Sequence, residues 1–157
     1  IVLITQTGMA LRFKLDTVSC TGRATAGVRG IDVVKNDAVR WFEIPKAGTM
    51  LFVVSDRGFG KRMLCDDIER QGRAGKGQKL LPMNKSGETG QMLAACLNVT
   101  EAKAVRVEQK HGHVTTLDVS EISVQRRTAK GELLVNVLLD DVVEYAALAG
   151  DMQEKTE

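Results

Sequence analysis

Three short runs begin alike at a glycine, and two of them place an arginine four residues after it. Gly8 is followed by Arg12 and Lys14, Gly58 by Lys61 and Arg62, and Gly112 by Thr116 where the other two have arginine. A second set lies in glycine-bearing segments: Arg23 and Arg29, then Arg73, Lys76 and Lys79, then Arg126, Arg127 and Lys130. Arginine grips phosphate oxygens with a bidentate fork, lysine offers a point charge, and glycine lets backbone N–H groups approach an anion closely. Regularly spaced cations beside exposed amides suit a polyphosphate backbone held without reading its bases, because each neutralised phosphate releases condensed counterions. Taken singly, the same charges are what any solvated surface carries, and it is their recurrence that favours phosphate. For Arg23, Arg73 and Arg127, bracing one repeat to the next through carbonyl hydrogen bonds is an equal alternative. The recurring glycines are read chiefly as backbone requirements.

The elements that must position these groups follow from the repeat itself. Thr7–Phe13 recurs as Arg57–Met63 and, more weakly, as His111–Leu117. Gly8, Gly58 and Gly112 stand 50 and 54 residues apart. Blocks over Val18–Gly27, Ile68–Gly77 and Ile122–Gly131 carry Arg23/Gly27, Arg73/Gly77 and Arg127/Gly131 at the same steps, so two landmarks agree on the register. Within a repeat, runs rich in β-branched residues (Val2–Thr5, Leu51–Ser55, Ala104–Glu108) lead through the glycine turn into alternating runs (Met9–Leu15, Gly60–Cys65, Val114–Val119), which predicts hairpins. Strand-like stretches at Val28–Val34, Gln78–Met83 and Glu132–Leu139 follow each block. Helix is expected only over Val142–Gln153. The fold class is therefore all-β, with about three four-stranded blades in a propeller-like array. The repeats run over about 1–48, 49–90 and 91–148, and an acidic C-terminal tail occupies 149–157.

Composition narrows the function classes. The 157 residues are 43% hydrophobic, enough for one core. The net charge of +2 hides a partition: residues 1–130 hold 21 basic and 13 acidic side chains, and 131–157 hold 1 and 7. A basic body with an acidic end points to an anionic partner. Six aromatic residues argue against a base-stacking single-strand binder, so nucleic acid would be held by its phosphates. Cys20, Cys65 and Cys96 are too far apart for a disulfide framework or a zinc knuckle, which fits a reduced, cytosolic setting. No run approaches the roughly 18 apolar residues of a membrane span, and Ile1–Gln6 does not read as a secretion signal. The strand-like start without Met leads us to expect a piece of something longer.

Enzymatic readings fail on chemistry. Gly72–Gly77 has Gly77 where a phosphate-binding P-loop needs Ser or Thr after its lysine. His111 and His113 with Cys96 lack a fourth metal ligand, so an exposed turn is the better reading and no metal is expected. Tyr145 lies in an acidic, apolar segment, without the basic and carboxylate company of a DNA-cleaving tyrosine, and is read as a core or edge residue. Ser120 and Ser123 form no nucleophile arrangement with the distant histidines. No catalytic residue is assigned.

With these residues in view, the chain resembles the C-terminal domain of the A subunit of bacterial type II topoisomerases, DNA gyrase or its paralogue topoisomerase IV, from Val2 to about Leu148. The carriers are the turn-then-basic strands, the V-x-x-x-G-R-x-x-x-G-V-R-G-I run at Val18–Ile31, G-x-G-K-R at Gly58–Arg62 and E-I-S-V-x-R-R-T-x-x-G at Glu121–Gly131. The resemblance implies a β-pinwheel, a propeller-like disc of up to six blades that bends duplex DNA around a basic rim. Three repeats would be half of it, similar to the last three. Gln71, Gly72, Arg73, Ala74, Gly75, Lys76 and Gly77 are similar to the gyrase box Q-R-R-G-G-K-G at five of seven positions. That box normally sits in the first blade, so an ordinary repeat drifted toward it is an open alternative.

The resemblance implies sequence-nonspecific DNA wrapping in support of ATP-dependent negative supercoiling, with ATP and Mg in the holoenzyme outside this sequence and no cofactor here. DNA contacts would fall on Arg12, Lys14, Arg23, Arg29, Lys61, Arg62, Arg73, Lys76, Lys79, Arg126, Arg127 and Lys130. The partners would be double-stranded DNA, the B subunit, and the rest of the A subunit, with no membrane, in the cytoplasm at the nucleoid. Open edges of a half disc would also allow a homodimer. A topoisomerase IV domain for decatenation, or a protein-interaction scaffold without DNA binding, are the alternatives. The acidic end (Asp140, Asp141, Glu144, Asp151, Glu154, Glu157) would solubilise the terminus or compete with DNA for the basic face.

Overall fold

The computed structural model describes residues 1–150. Each glycine turn closes a hairpin as expected. β1 (Val2–Thr5) pairs antiparallel with β2 (Met9–Arg12), with Leu3 opposite Leu11. After β3 (Val39–Glu43), β4 (Met50–Ser55) pairs with β5 (Phe59–Met63), Val53 opposite Lys61. Then come β6 (Gln78–Lys79) and β7 (Leu93–Val99), followed by the hairpin of β8 (Ala104–Gln109) and β9 (Val114–Asp118), Arg106 opposite Thr116. β10 (Glu132–Leu133) and β11 (Val143–Leu148) complete the chain. The sheets are ordered β3-β1-β2-β6, β10-β5-β4-β7 and β11-β8-β9.

A repeat and a blade are thus different units. The short strand after each glycine-rich block crosses over to the preceding blade: β6 pairs with β2 through Ala10 and Gln78, and β10 with β5 through Gly60 and Glu132. The third blade has three strands, not the expected four, because no later strand among the described residues reaches β9. Val28–Val34, expected as a strand, forms no ladder: among the described residues no hairpin precedes that of β1 and β2 for it to join. It lies instead against the first blade, with Ile31 buried beside Leu11 and Phe13.

The expected helix at Val142–Gln153 is the strand β11. Val143, Ala146 and Ala147 are buried, a spacing that imitates a helix face. A register shift between Val143 and Tyr145 in the pairing with β8 produces that spacing within a strand. Residues 151–153 of that span lie outside the described residues. β3, β7 and β11 hold the same edge position in their sheets, and Tyr145, half exposed, sits on that edge.

Two cores hold the blades face to face. Val2, Ile4, Leu51, Val53, Met63, Leu80 and Leu81 are fully buried between the first and second sheets. Phe52, Val54, Val105, Val107, Val119 and Val135 fill the space between the second and third. Full burial of one such side chain is worth about 1.5 to 3 kcal/mol. The crossover strands therefore do more than complete a ladder: Leu80, Leu81 and Val135, which follow β6 and β10, are core residues. No helix among the described residues is long and apolar enough to cross a membrane.

Candidate nucleic-acid interface

The hairpin cations, expected on one outward face, divide instead. A crossover strand covers β5, and Lys61 lies beneath it with no solvent exposure. Its Nζ donates to the carbonyls of Arg126 (2.8 Å), Arg127 (2.8 Å) and Ala129 (2.5 Å), which uses all three ammonium protons. Burial first, and the Arg127 charge second, lower its pKa to about 8 against the pull of Asp67. Arg62 is 6% exposed. It donates to the Ile122 and Ser120 carbonyls and pairs with Glu101 at 3.0 Å. Neither side chain is available to a phosphate, which corrects their assignment as surface contacts.

Arg12 does the same work one blade earlier, donating to the Cys65 and Ile68 carbonyls and pairing with Asp66 at 2.6 Å. Each arginine grips a 3-10 turn of the next repeat, Cys65–Asp67 or Val119–Glu121. These are clamps between repeats. Of the four hairpin cations, Lys14 alone is exposed and forms no ion pair among the described residues.

In the glycine-rich loops the bracing alternative accounts for two arginines. Arg73 donates to the Thr17 and Arg29 carbonyls, and Arg127 to the Lys79 carbonyl, so each ties its loop to the preceding one. Arg23 has no preceding loop among the described residues and stands exposed, while exposed Arg29 lies 3.7 Å from Asp32. Lys76, Lys79, Arg126 and Lys130 are exposed and engage no protein acceptor among the described residues. Of the predicted contacts, these four and Lys14 are left to solvent without a protein partner: Lys76, Arg126 and Lys130 in the loops before β6 and β10, Lys79 in β6 and Lys14 after β2.

The crossover also explains the glycines. Gly77 (φ +77°) and Gly131 (φ +80°) are left-handed, and a methyl added there would stand 2.4 Å from the Ala10 carbonyl oxygen and 2.6 Å from the Gly60 carbonyl oxygen. Gly27 has the same conformation (φ +78°) and open space around it.

The sequence reading missed two features. Arg70, exposed one residue before the box-like loop, bridges in parallel to Arg12, and its adjacency to Gln71 was the available signal. Gln125–Gly131, QRRTAKG, matches the box pattern at five of seven positions and keeps both arginines. Aligning the blocks on Arg73 and Arg127 would have revealed it.

Other candidates resolve structurally. Cys96 is buried in the first core while His111 and His113 sit on an exposed turn, and no group of three metal-ligating residues occurs among the described residues. Asp141, counted in the acidic end, is buried and accepts the amides of His111 and Val142, so it serves structure. Burial opposes its ionisation, yet those two amides hold its pKa below the ordinary carboxylate value. Asp151, Glu154 and Glu157 lie outside the described residues.

Comparison with known proteins agrees with this architecture. The family described as DNA gyrase C-terminal domain, beta-propeller, matches residues 1–46, 49–89 and 116–149. The DNA gyrase A protein of Aminobacterium colombiense is 32% identical over 94% of the chain, and that of Pseudomonas aeruginosa 29% over 91%. The chain spans 18% and 15% of those relatives' lengths. Among solved structures, the C-terminal domain of a DNA topoisomerase IV superposes with a TM-score of 0.83 at 22% identity, over 94% of this chain and 45% of that one. A DNA gyrase A C-terminal domain gives 0.76 at 21% identity, over 94% and 49%. A set of blades completed by crossover strands, with a matching sequence pattern over most of its length, makes this chain a member of the DNA gyrase C-terminal beta-propeller family.

Proposed function

We propose that the chain binds and bends duplex DNA as the non-catalytic, wrapping part of a type II topoisomerase A subunit, gyrase in preference to topoisomerase IV. The observation that carries this reading is that the glycine-rich loops before β6 and β10 hold Lys76 and Lys130 at equivalent positions, exposed and without a protein acceptor among the described residues, with exposed Lys79 and Arg126 beside them in sequence and Lys14 exposed after β2. The gyrase relatives support the choice of paralogue. Bending a 20 to 30 base-pair site costs about 1 to 6 kcal/mol, and several phosphate contacts recurring at blade spacing offset it. Strand breakage, with its ATP and Mg, belongs to the remainder of the A subunit together with the B subunit, in the cytoplasm.

Binding of the chain to a linear duplex of about 150 base pairs across a salt series tests the reading, with ligation of a nicked circle as the measure of wrapping. Steep salt dependence without sequence preference, together with a change in linking number, is expected. Binding without that change favours the topoisomerase IV role. Absence of binding at low salt favours a protein-interaction scaffold, a reading to which the burial of Lys61 and Arg62 lends weight.

A further inference from the structure

Loop 125–131 is held in a way its counterpart 71–77 is not. The carbonyls of Arg126, Arg127 and Ala129 converge on the buried Nζ of Lys61. In a planar trans peptide the N–H points opposite to the C=O. Drawing these three carbonyls inward therefore turns the amides of Arg127, Thr128 and Lys130 outward. Among the described residues none of the three donates to another protein group. The exposed side chains of Arg126 and Lys130 stand on the same loop, and the Gln125 amide anchors its start on the Arg62 carbonyl at 2.9 Å.

In loop 71–77 the position of Lys61 is taken by Leu11, which packs beside Gly75. The Ala74 amide, in the place of Thr128, is spent on the Gly30 carbonyl at 2.8 Å, and the Gly75 carbonyl accepts from Asp32. Loop 125–131 thus turns the Thr128 amide outward between those of Arg127 and Lys130, three donors beside two cations, while in loop 71–77 the middle amide of the equivalent three, Ala74, is already spent.

We propose that Lys61 is a positioning residue that makes loop 125–131 a phosphate-gripping site, its amides at Arg127, Thr128 and Lys130 joining the side chains of Arg126 and Lys130 on one phosphate of a bound duplex. This deepens the DNA-binding reading and rests on it. The ammonium binds no DNA itself. The charged groups facing it are Arg127 from the loop and Asp67 from the 3-10 turn, and as Lys61 deprotonates near pH 8 its hold on the three carbonyls weakens.

The test uses the 157-residue chain with two probes, inorganic phosphate and a linear duplex of about 150 base pairs. In the native chain both probes are expected to shift the amide resonances of Arg127, Thr128 and Lys130 and to leave that of Ala74 in place. Lys61→Met, which keeps the stem and removes the charge, should weaken duplex binding by about tenfold and lower the salt slope by about one unit. The native affinity should also fall between about pH 7 and pH 9 while the variant's stays flat. A folded Lys61→Met variant with native affinity and slope overturns the proposal, as do silent loop amides in a chain that binds the duplex. Should the variant fail to fold, the native amide titration decides alone. A native chain that binds no duplex at low salt overturns the DNA reading and this inference together.

Discussion

Residues 71–81 and 18–31 begin from the same sequence landmarks and end in different structures. Both carry Arg and Gly at matching positions, Arg73/Gly77 and Arg23/Gly27, with left-handed glycines of nearly equal φ. The later segment finds the edge of β2, buries Leu80 and Leu81 completely and pins Arg73 to the carbonyls of the preceding loop. The earlier segment meets no preceding hairpin edge among the described residues, leaves Val28 and Arg23 exposed, and buries Ile31 against the outside of its own blade. What differs is the acceptor. A glycine-bearing crossover segment becomes a strand only where another repeat offers an edge and a cavity, since a two-residue ladder cannot offset its own ordering entropy.

Substitution at the paired glycines should break this comparison most visibly. Gly131→Ala combines a left-handed residue with a backbone clash at Gly60 and should cost about 3 kcal/mol or more. Gly27→Ala meets open space and should cost about 1 to 2 kcal/mol from conformation alone. Urea unfolding of the two variants checks this, and equal losses would mean that the crossover seat is loose.

The clamps sharpen it next. Arg62→Met leaves the carbonyls of Ser120 and Ile122 without their donor in a buried setting and should destabilise by about 3 kcal/mol. Arg12→Met, at a site whose partner Asp66 is solvated, should lose about 1 kcal/mol. Thr116→Arg, on a blade with no crossover strand, should leave the unfolding midpoint unchanged. A stabilising Thr116→Arg would show that the arginine works within its own blade.

Acidity and alkali give the smaller effects. The folded Lys61 holds its proton less tightly than an unfolded lysine, whose value is 10.5, so the unfolded chain binds more protons between about pH 8 and that value. Stability should therefore rise with pH through this window, and Lys61→Met should abolish the rise. Asp141 works in the opposite direction. Its lowered pKa stabilises the fold at neutral pH, and that contribution fades as the pH falls through the folded value. Asp141→Asn should flatten the acid limb of the unfolding profile, beginning with the turn at His111.

The hairpins were legible because strand and turn are local: β-branched runs flank Gly8, Gly58 and Gly112, and left-handed backbone singles out glycine. The edge strands β3, β7 and β11 were not, because their partners lie in sequence-distant hairpins and the shift near Val143 gives β11 the spacing of a helix. On the candidate interface, charge type and register were legible and exposure was not. Lys61 and Arg62 read from sequence just as surface cations do until β10 closes over them.

By itself the sequence determined the repeat, the all-β class, the glycine positions and the family, since all of these rest on residue identity and spacing along one chain. The tertiary structure alone decided which cations remain for a phosphate. Burial is a property of the space between repeats: the 3-10 turns and glycine-rich loop of the next repeat turn Arg12, Lys61 and Arg62 into carbonyl clamps, while Lys14, Lys76, Lys79, Arg126 and Lys130 stay in water. A buried cation must satisfy its hydrogen-bonding groups with nearby carbonyls, and where those carbonyls lie is fixed by the neighbouring blade.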